Sequence, residues 1–288
     1  MRALVLSGGG CKGAFQVGAI KKLVDTENVE YDIFCGVSVG AINSAGLAQF
    51  QRGQNKEAAE HLELLWRTRV DTPAIHKPWW PLGKVHSFWE KSMYDSSPLR
   101  DFMYREIDVN KIRATGKQVA VGAVSLVGGK YHFGTQDDDN FVDWVLASSS
   151  FPIFLNPIEI DGDLWSDGGL QCITPLGQAI RMGATDIDVV LTYDPDAEDI
   201  WESKSQVALP DQIIRALVLM SDQLAINDLK MAGLKNDLVE MNPKYKKVNI
   251  RVIVPGESLQ IADSLDFNPK DVARMIDIGY NNSKIYTK

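Results

Sequence analysis

Apolar residues fall into two rhythms along the first part of this 288-residue chain. Ala3 to Leu6 and Tyr31 to Val37 are short, almost wholly apolar runs, the pattern of buried strands. Between them Phe15, Ala19, Leu23 and Val17, Ile20, Val24 recur at three- and four-residue spacing, so a helix is expected from Ala14. Small and apolar residues at helical spacing follow Val39. Strand, loop, helix, strand and helix in that order predict a βαβα unit, and hence a parallel sheet covered by helices.

Farther along, Asn55 to Arg69 carries Ala58, Leu62, Leu65 and Trp66 on one helical face. The rhythm lapses from Val70 to Ser97, where Pro73, Pro78 and Pro81 are interleaved with Trp79, Trp80 and Trp89. A helix from Pro98 to Ile107 with Ser97 as its N-cap follows. Lys117 to Val127 reads as a strand that turns at Gly128-Gly129 into Tyr131–Gly134. Asn140 to Ser150 is helical, led in by Asp137, Asp138 and Asp139, whose expected role is to stabilise the positive end of that helix. Ile158 to Trp165 is a hairpin around Asp161-Gly162. A helix (175–182), a strand (187–193), a long amphipathic helix (210 to about 233), a last strand (248–254) and a last helix (269–280) complete the expected order. No repeat or linker divides the chain, so one domain over residues 1–288 is expected, with 70–97 as an insertion or lid.

Two loops carry candidate chemistry. The run 31–37 ends in Gly36-Val37-Ser38-Val39-Gly40, the form of a nucleophile elbow in which a serine sits on a sharp strand-to-helix turn with its hydroxyl pushed clear of the backbone. Ser38 is accordingly read as a nucleophile. Upstream, Gly8-Gly9-Gly10-Cys11-Lys12-Gly13 lies between a strand and a helix N-terminus, where backbone N–H groups can gather around a negative charge. The same loop also matches a dinucleotide fingerprint, with Glu27 or Glu30 at a tolerable distance for a ribose contact, and so leaves a nucleotide-binding oxidoreductase open. A third reading is a turn that merely permits close packing. A phosphate-binding P-loop fails, because Ala14-Phe15 follows Gly13 in place of Lys and Ser/Thr.

Composition narrows the classes. Thirty Lys and Arg against 38 Asp and Glu give a formal charge of −8, which argues against a nucleic-acid partner. Cys11, Cys35 and Cys172 show no CxxC spacing and no disulfide framework, which fits a cytoplasmic setting. No apolar run approaches the roughly 20 residues that span a bilayer, and the first one is too short for a signal peptide. A soluble or peripherally attached protein is therefore expected. The segment 76–91 mixes tryptophans with lysines, either as a peripheral membrane contact at the mouth of a site or as a loop packed inward.

A serine nucleophile needs a base. The histidines are His61, His76, His86 and His132, and none follows in the C-terminal half. An acid such as Asp95, Asp101 or Asp108 with His132 completes a triad only formally, because His132 sits in a hairpin strand between Tyr131 and Phe133. The best-placed carboxylate is Asp167, delivered by the 158–165 hairpin and followed by Gly168-Gly169. Burial beside a serine would raise its basicity; the bland alternative is an Asp-Gly turn.

Taken in order, Gly8-Gly9-Gly10-Cys11-Lys12-Gly13, Gly36-Val37-Ser38-Val39-Gly40 and Asp167-Gly168-Gly169 resemble the motifs of the patatin-like phospholipases, or lipid acyl hydrolases. Ala147 to Ile153 and the stretch from Leu265-Asp266-Phe267 to Gly279-Tyr280 are similar to the family as well. The resemblance implies a three-layer α/β/α fold with a mostly parallel sheet, and a Ser38–Asp167 dyad acting on acyl esters of phospholipids or related lipids. It implies that backbone N–H groups of Gly9 and Gly10 hold the oxyanion, that an acyl-enzyme forms on Ser38, and that no metal or cofactor is needed. Lys12 stands where many members carry Arg. A non-catalytic lipid-binding protein on the same scaffold remains a rival reading.

Overall fold

The protein is described by a computed structural model over residues 1–79, 90–194, 247–259 and 264–287, together with scattered helical positions between 212 and 230. Strand β1 (Arg2–Leu6) explains the layering. Ala3 and Val5 face a core shared with Ile33 and Cys35, while Leu4 and Leu6 face the opposite core with Phe15 and Ile20. Alternate side chains leave opposite faces of a strand, so an unbroken apolar run must be covered twice.

The chain continues through α1 (Gly13–Glu27), β2 (Ile33–Gly36), α2 (Val39–Ala48) and α3 (Asn55–Arg69), as the apolar pattern predicts. Next come α4 (Thr72–Ile75), α5 (Ser97–Glu106), α6 (Val109–Thr115), β3 (Gln118–Ser125), β4 (Tyr131–Thr135) and α7 (Phe141–Ser148). Then follow β5 (Ile158–Ile160), β6 (Asp163–Asp167), α8 (Leu176–Arg181), β7 (Asp186–Val190), β8 (Asn249–Val254), α9 (Pro269–Asn282) and β9 (Lys284–Thr287). The strands form one sheet in the order β5-β6-β3-β2-β1-β7-β8-β9, with β4 also on β3. From β3 to β8 the pairing is parallel; β4, β5, β6 and β9 join antiparallel. This is the expected α/β fold.

One feature of this sheet builds the site. Strands β2 and β6 share the same edge of β3. The Gln118 N–H donates to Asp32 O (2.9 Å), just before β2, and the Leu126 N–H to Leu164 O (2.7 Å) in β6. Positions 118 and 126 are an even number apart, so their N–H groups leave β3 on one side. Gly36 therefore pairs with Val121 and Asp167 with Ala123, and the two strands meet nearly end to end.

Several expectations are corrected. Helix α6 has no counterpart in the periodicity; it is set by its ends, Asp108 Oδ1 accepting the Asn110 and Lys111 N–H groups and Gly116 closing it at φ 68°. The strand at 249–254 is not the last: β9 pairs with it as an edge, and its four residues are all exposed, so no alternation marks it. Helix α5 begins one residue earlier than expected, with Ser96 at the N-cap position but making no side-chain cap bond, while Asp95 Oδ1 takes the Ser97 N–H (2.8 Å). Asp138 does not serve the positive end of α7; its carboxylate accepts the Thr135 N–H at 2.7 Å and closes the preceding turn. At Asp161-Gly162 both φ angles are positive (52° and 78°), as a two-residue hairpin turn requires. Of the 76–91 segment, residues 80–89 lie outside the described residues. On its flanks Trp79 donates to Ser92 O (3.0 Å), and Lys77 bridges to Asp95. The long helix expected at 210–233 is described at scattered positions from Gln212 to Lys230, all helical.

Candidate active site

Ser38 sits between β2 and α2 with φ 56° and ψ −130°, a conformation that L-residues rarely adopt. The flanking glycines make the crossing possible. A side chain at Gly36 would come within 2.6 Å of Ala41 N, and one at Gly40 within 2.7 Å of the Leu6 carbonyl carbon. The strained residue is held from both sides by α7 and its end. The Ser38 N–H donates to Ser148 Oγ (3.0 Å), and Ser149 Oγ donates to Ser38 O (3.1 Å).

Asp167 ends β6 and is buried, with 2 % of its surface exposed. Its N–H donates to Ser150 O (3.0 Å), and its Oδ1 accepts the Gly169 N–H (2.7 Å). Its Oδ2 is buried and has no hydrogen-bond partner among the described residues. Burial raises the carboxyl from 3.8 to about 7, against the opposing pull of the Gly169 N–H and of the Ser38 hydroxyl. The hydroxyl thus lies near the carboxyl without forming a well-aligned hydrogen bond. Gly168 lets β6 approach Gly122 of β3, where any side chain would strike the Gly122 carbonyl.

The first glycine loop closes the third side. Gly8, Gly9 and Gly10 line the same cavity as Ser38 and Asp167. Thr192 Oγ1 donates to Gly8 O (2.7 Å) and the Cys11 N–H to Ser264 O (2.8 Å), so the loop is tied down behind the cavity. Among the described residues, no hydrogen bond takes up the N–H of Gly9 or Gly10. Gly10 needs its glycine: φ is 56°, and a side chain would meet the Ser264 carbonyl. Lys12 also lines the cavity, Cys11 is fully buried, and Gly13 starts α1 against Val39. Burial pushes the Cys35 thiol, on β2, up to about 12, far from a reactive thiolate.

The cavity measures about 150 Å³ and is mostly apolar, with Leu62, Trp66, Phe102, Met103, Phe151 and Leu265 in its wall. No described histidine lines it. His132 packs between Trp144 and Trp165 (ring centroids 4.4 and 5.7 Å away), and His61 lies against Phe50. His76 stacks on Tyr94 and places Nε2 at 3.0 Å from Leu265 O. Asp108 caps α6 and Asp95 pairs with Lys77. Glu27 pairs with Arg251 and Glu30 accepts the Gly53 N–H; both residues precede β2, at the end of the sheet away from the glycine loop. A ribose contact from either is thereby ruled out. The serines 148–150 fall in the family-like stretch from Ala147 to Ile153, but the sequence assigns them no role; their contacts with Ser38 and Asp167 emerge only from the fold.

An elbow serine, a buried acid and a glycine loop thus share one apolar cavity at the carboxyl ends of the parallel strands, where ligands bind in such sheets. The chain belongs to the patatin-like phospholipase family, whose sequence pattern matches residues 4–180. That family's chemistry is the hydrolysis of lipid acyl esters. Among solved structures the chain is similar to VipD from Legionella pneumophila, at 14 % identity and a TM-score of 0.47, over 99 % of this chain and 68 % of that one. No curated protein matches it. Among the described residues no helix is long and apolar enough to cross a membrane.

Proposed function

We propose that the protein is a serine lipid acyl hydrolase in which Ser38 is the nucleophile and Asp167 the base. One observation carries this reading: a strained serine and a buried carboxyl share an apolar cavity with two backbone N–H groups, and among the described residues neither those N–H groups nor one carboxyl oxygen has a hydrogen-bond partner. A carboxyl near 7 is close to half ionised at neutral pH, where a general base works best. As Ser38 Oγ attacks the ester carbonyl carbon, its proton passes to Asp167. The negative charge on the former carbonyl oxygen is met by the N–H groups of Gly9 and Gly10. Collapse of the tetrahedral adduct breaks the bond to the leaving alkoxide, which takes the proton from Asp167 and departs, leaving an acyl ester on Ser38. Asp167 then deprotonates a water that attacks this ester, and Ser38 recovers its proton as the fatty acid leaves.

The substrates are acyl esters of phospholipids or related lipids. The experiment is ester turnover by the wild type, Ser38→Ala and Asp167→Asn, with mass analysis after a fluorophosphonate probe. Both variants are expected to lose at least a thousandfold in kcat, and the probe to add its mass to Ser38 alone. Turnover retained in Ser38→Ala would remove the assignment, as would a labelled residue elsewhere.

A further inference from the structure

The cavity is a groove with a direction. It follows one face of α2: Ser38, Val39, Ile42, Gly46 and Gln49 line it at helical spacing. Leu62 and Trp66, four residues apart on α3, form a second wall, and Phe102 and Met103 on α5 a third. Trp66 commits its ring N–H to Asn43 Oδ1 (2.9 Å). What these three helices show the groove is therefore hydrocarbon, a surface that favours an apolar ligand.

The far end is different in kind. There Gln49 and Glu106 enter the lining. Gln49 Nε2 donates to Glu106 O (3.1 Å), and its Oε1 accepts the Asp108 N–H (2.9 Å). The Glu106 carboxylate is held by Arg69 (3.0 Å) and Arg105 (2.8 Å). Burial pushes that carboxyl up, but the hydrogen bonds of the two guanidinium groups outweigh it and keep it below the usual range. An alkyl terminus reaching this point would have to strip water or partners from an ion pair.

We propose that this groove is an acyl channel of fixed length, open at Ser38 and closed at Gln49 and Glu106, that makes the enzyme selective for acyl groups of up to about twelve carbons. This rests on the ester-hydrolase reading above. From Ser38 to Gln49 the helix advances eleven residues, or roughly 16 Å at about 1.5 Å per residue. A staggered chain with C–C bonds near 1.5 Å advances about 1.25 Å per carbon, so about twelve or thirteen carbons fill that span. Gly46, eight residues from Ser38, is the narrowing point open to test: a Cβ there would meet Leu62 Cδ1 at 3.5 Å, an ordinary contact.

The test compares kcat/KM for 4-nitrophenyl esters of four to eighteen carbons in the wild type, Gly46→Ala and Gly46→Leu. Dissociation constants of octanoate, dodecanoate and hexadecanoate are measured alongside. In the wild type each added methylene is expected to improve binding by up to about fourfold until the groove is full, with a fall beyond twelve to fourteen carbons. Gly46→Leu should lower the ratio of twelve-carbon to four-carbon kcat/KM at least tenfold, and the ratio of dodecanoate to octanoate affinity in the same direction. Gly46→Ala, which fits without displacement, should shift both ratios the same way by less. A wild-type profile that stays flat or keeps rising through eighteen carbons overturns the inference, and so do ratios unmoved in both variants. The fatty-acid constants keep the channel separate from the chemistry, because absent turnover with an intact binding cut-off would sink the hydrolase reading alone.

Discussion

The backbone N–H of Ser38 is hydrogen-bonded to the hydroxyl of Ser148, at 3.0 Å, across two elements that are 110 residues apart in the chain. A residue at φ 56° and ψ −130° persists when its surroundings over-determine it, and Ser148 with Ser149 supplies that restraint. Ser148 Oγ touches no reacting atom in this scheme, so it positions the nucleophile. Ser148→Ala is expected to lower kcat about tenfold, the worth of a hydrogen bond of about 1–1.5 kcal/mol, with KM little changed. Steady-state kinetics check this split, and Ser148→Thr, which keeps an acceptor oxygen, should recover part of the loss. Equal loss in both variants, or a rise in KM alone, contradicts the positioning role.

Asp167 ties activity to pH and stability in opposite directions. Its carboxyl lies near 7 in the folded protein and near 3.8 when exposed, because burial disfavours its charge. In the proposed role of base it must be ionised, so kcat/KM should rise with pH through about 7 and then level. For stability the sign reverses. The folded state holds the proton more tightly, so the stabilising contribution is complete below about pH 4 and lost as pH rises through about 7. Asp167→Asn should therefore abolish turnover yet melt several degrees higher than the wild type at pH 8, with the difference shrinking towards pH 4. Calorimetry at the two pH values checks this; a variant no more stable at pH 8 would show that the buried charge is not costly.

The elbow and the glycine loop are legible in the sequence because their chemistry is local. Ser38 needs Gly36 and Gly40 within the same few residues, and Gly8 to Gly13 end a strand and open a helix. Asp167 stands out among several carboxylates by its setting, but its approach to Ser38 depends on β6 running down the edge of β3 that β2 vacates, and pairing across the sheet leaves no local mark. The same holds for Ser148, which acts on a residue it never neighbours in sequence. Strand β9 is silent in the sequence for the opposite reason: an exposed edge of four residues buries no face and so carries no period.

The histidines are expected to be dispensable for the chemical step. His132 is packed on Trp144 and Trp165 and His76 on Tyr94, while no described histidine reaches the cavity. His132→Phe and His61→Gln should keep kcat within about threefold of wild type, and the pH profile should keep its inflection near 7, where Asp167 titrates. His76→Phe gives up a buried contact to Leu265 O and should lower the melting temperature while turnover persists. Loss of the pH inflection in any of these variants would assign it to imidazole.

Away from the cavity a second buried acid is tied into the fold. Asp188 on β7 has 1 % of its surface exposed and accepts hydrogen bonds from Tyr31 (2.7 Å), Arg2 Nε (3.1 Å) and Arg251 Nε (2.6 Å). Arg2 and Tyr31 lie at the starts of β1 and β2, whereas Ser38 lies beyond the end of β2. Both guanidinium groups are partly exposed, so they can rehydrate when the acid is removed. The cost of Asp188→Asn should then fall near the low end of the range for a broken buried pair, about 3 kcal/mol. For a chain of this size that corresponds to a melting temperature lower by roughly 5–10 °C. Because nothing in this cluster touches the cavity, kcat/KM measured well below the transition should match the wild type. A variant that melts normally but loses activity would mean that this end of the sheet is coupled to the site.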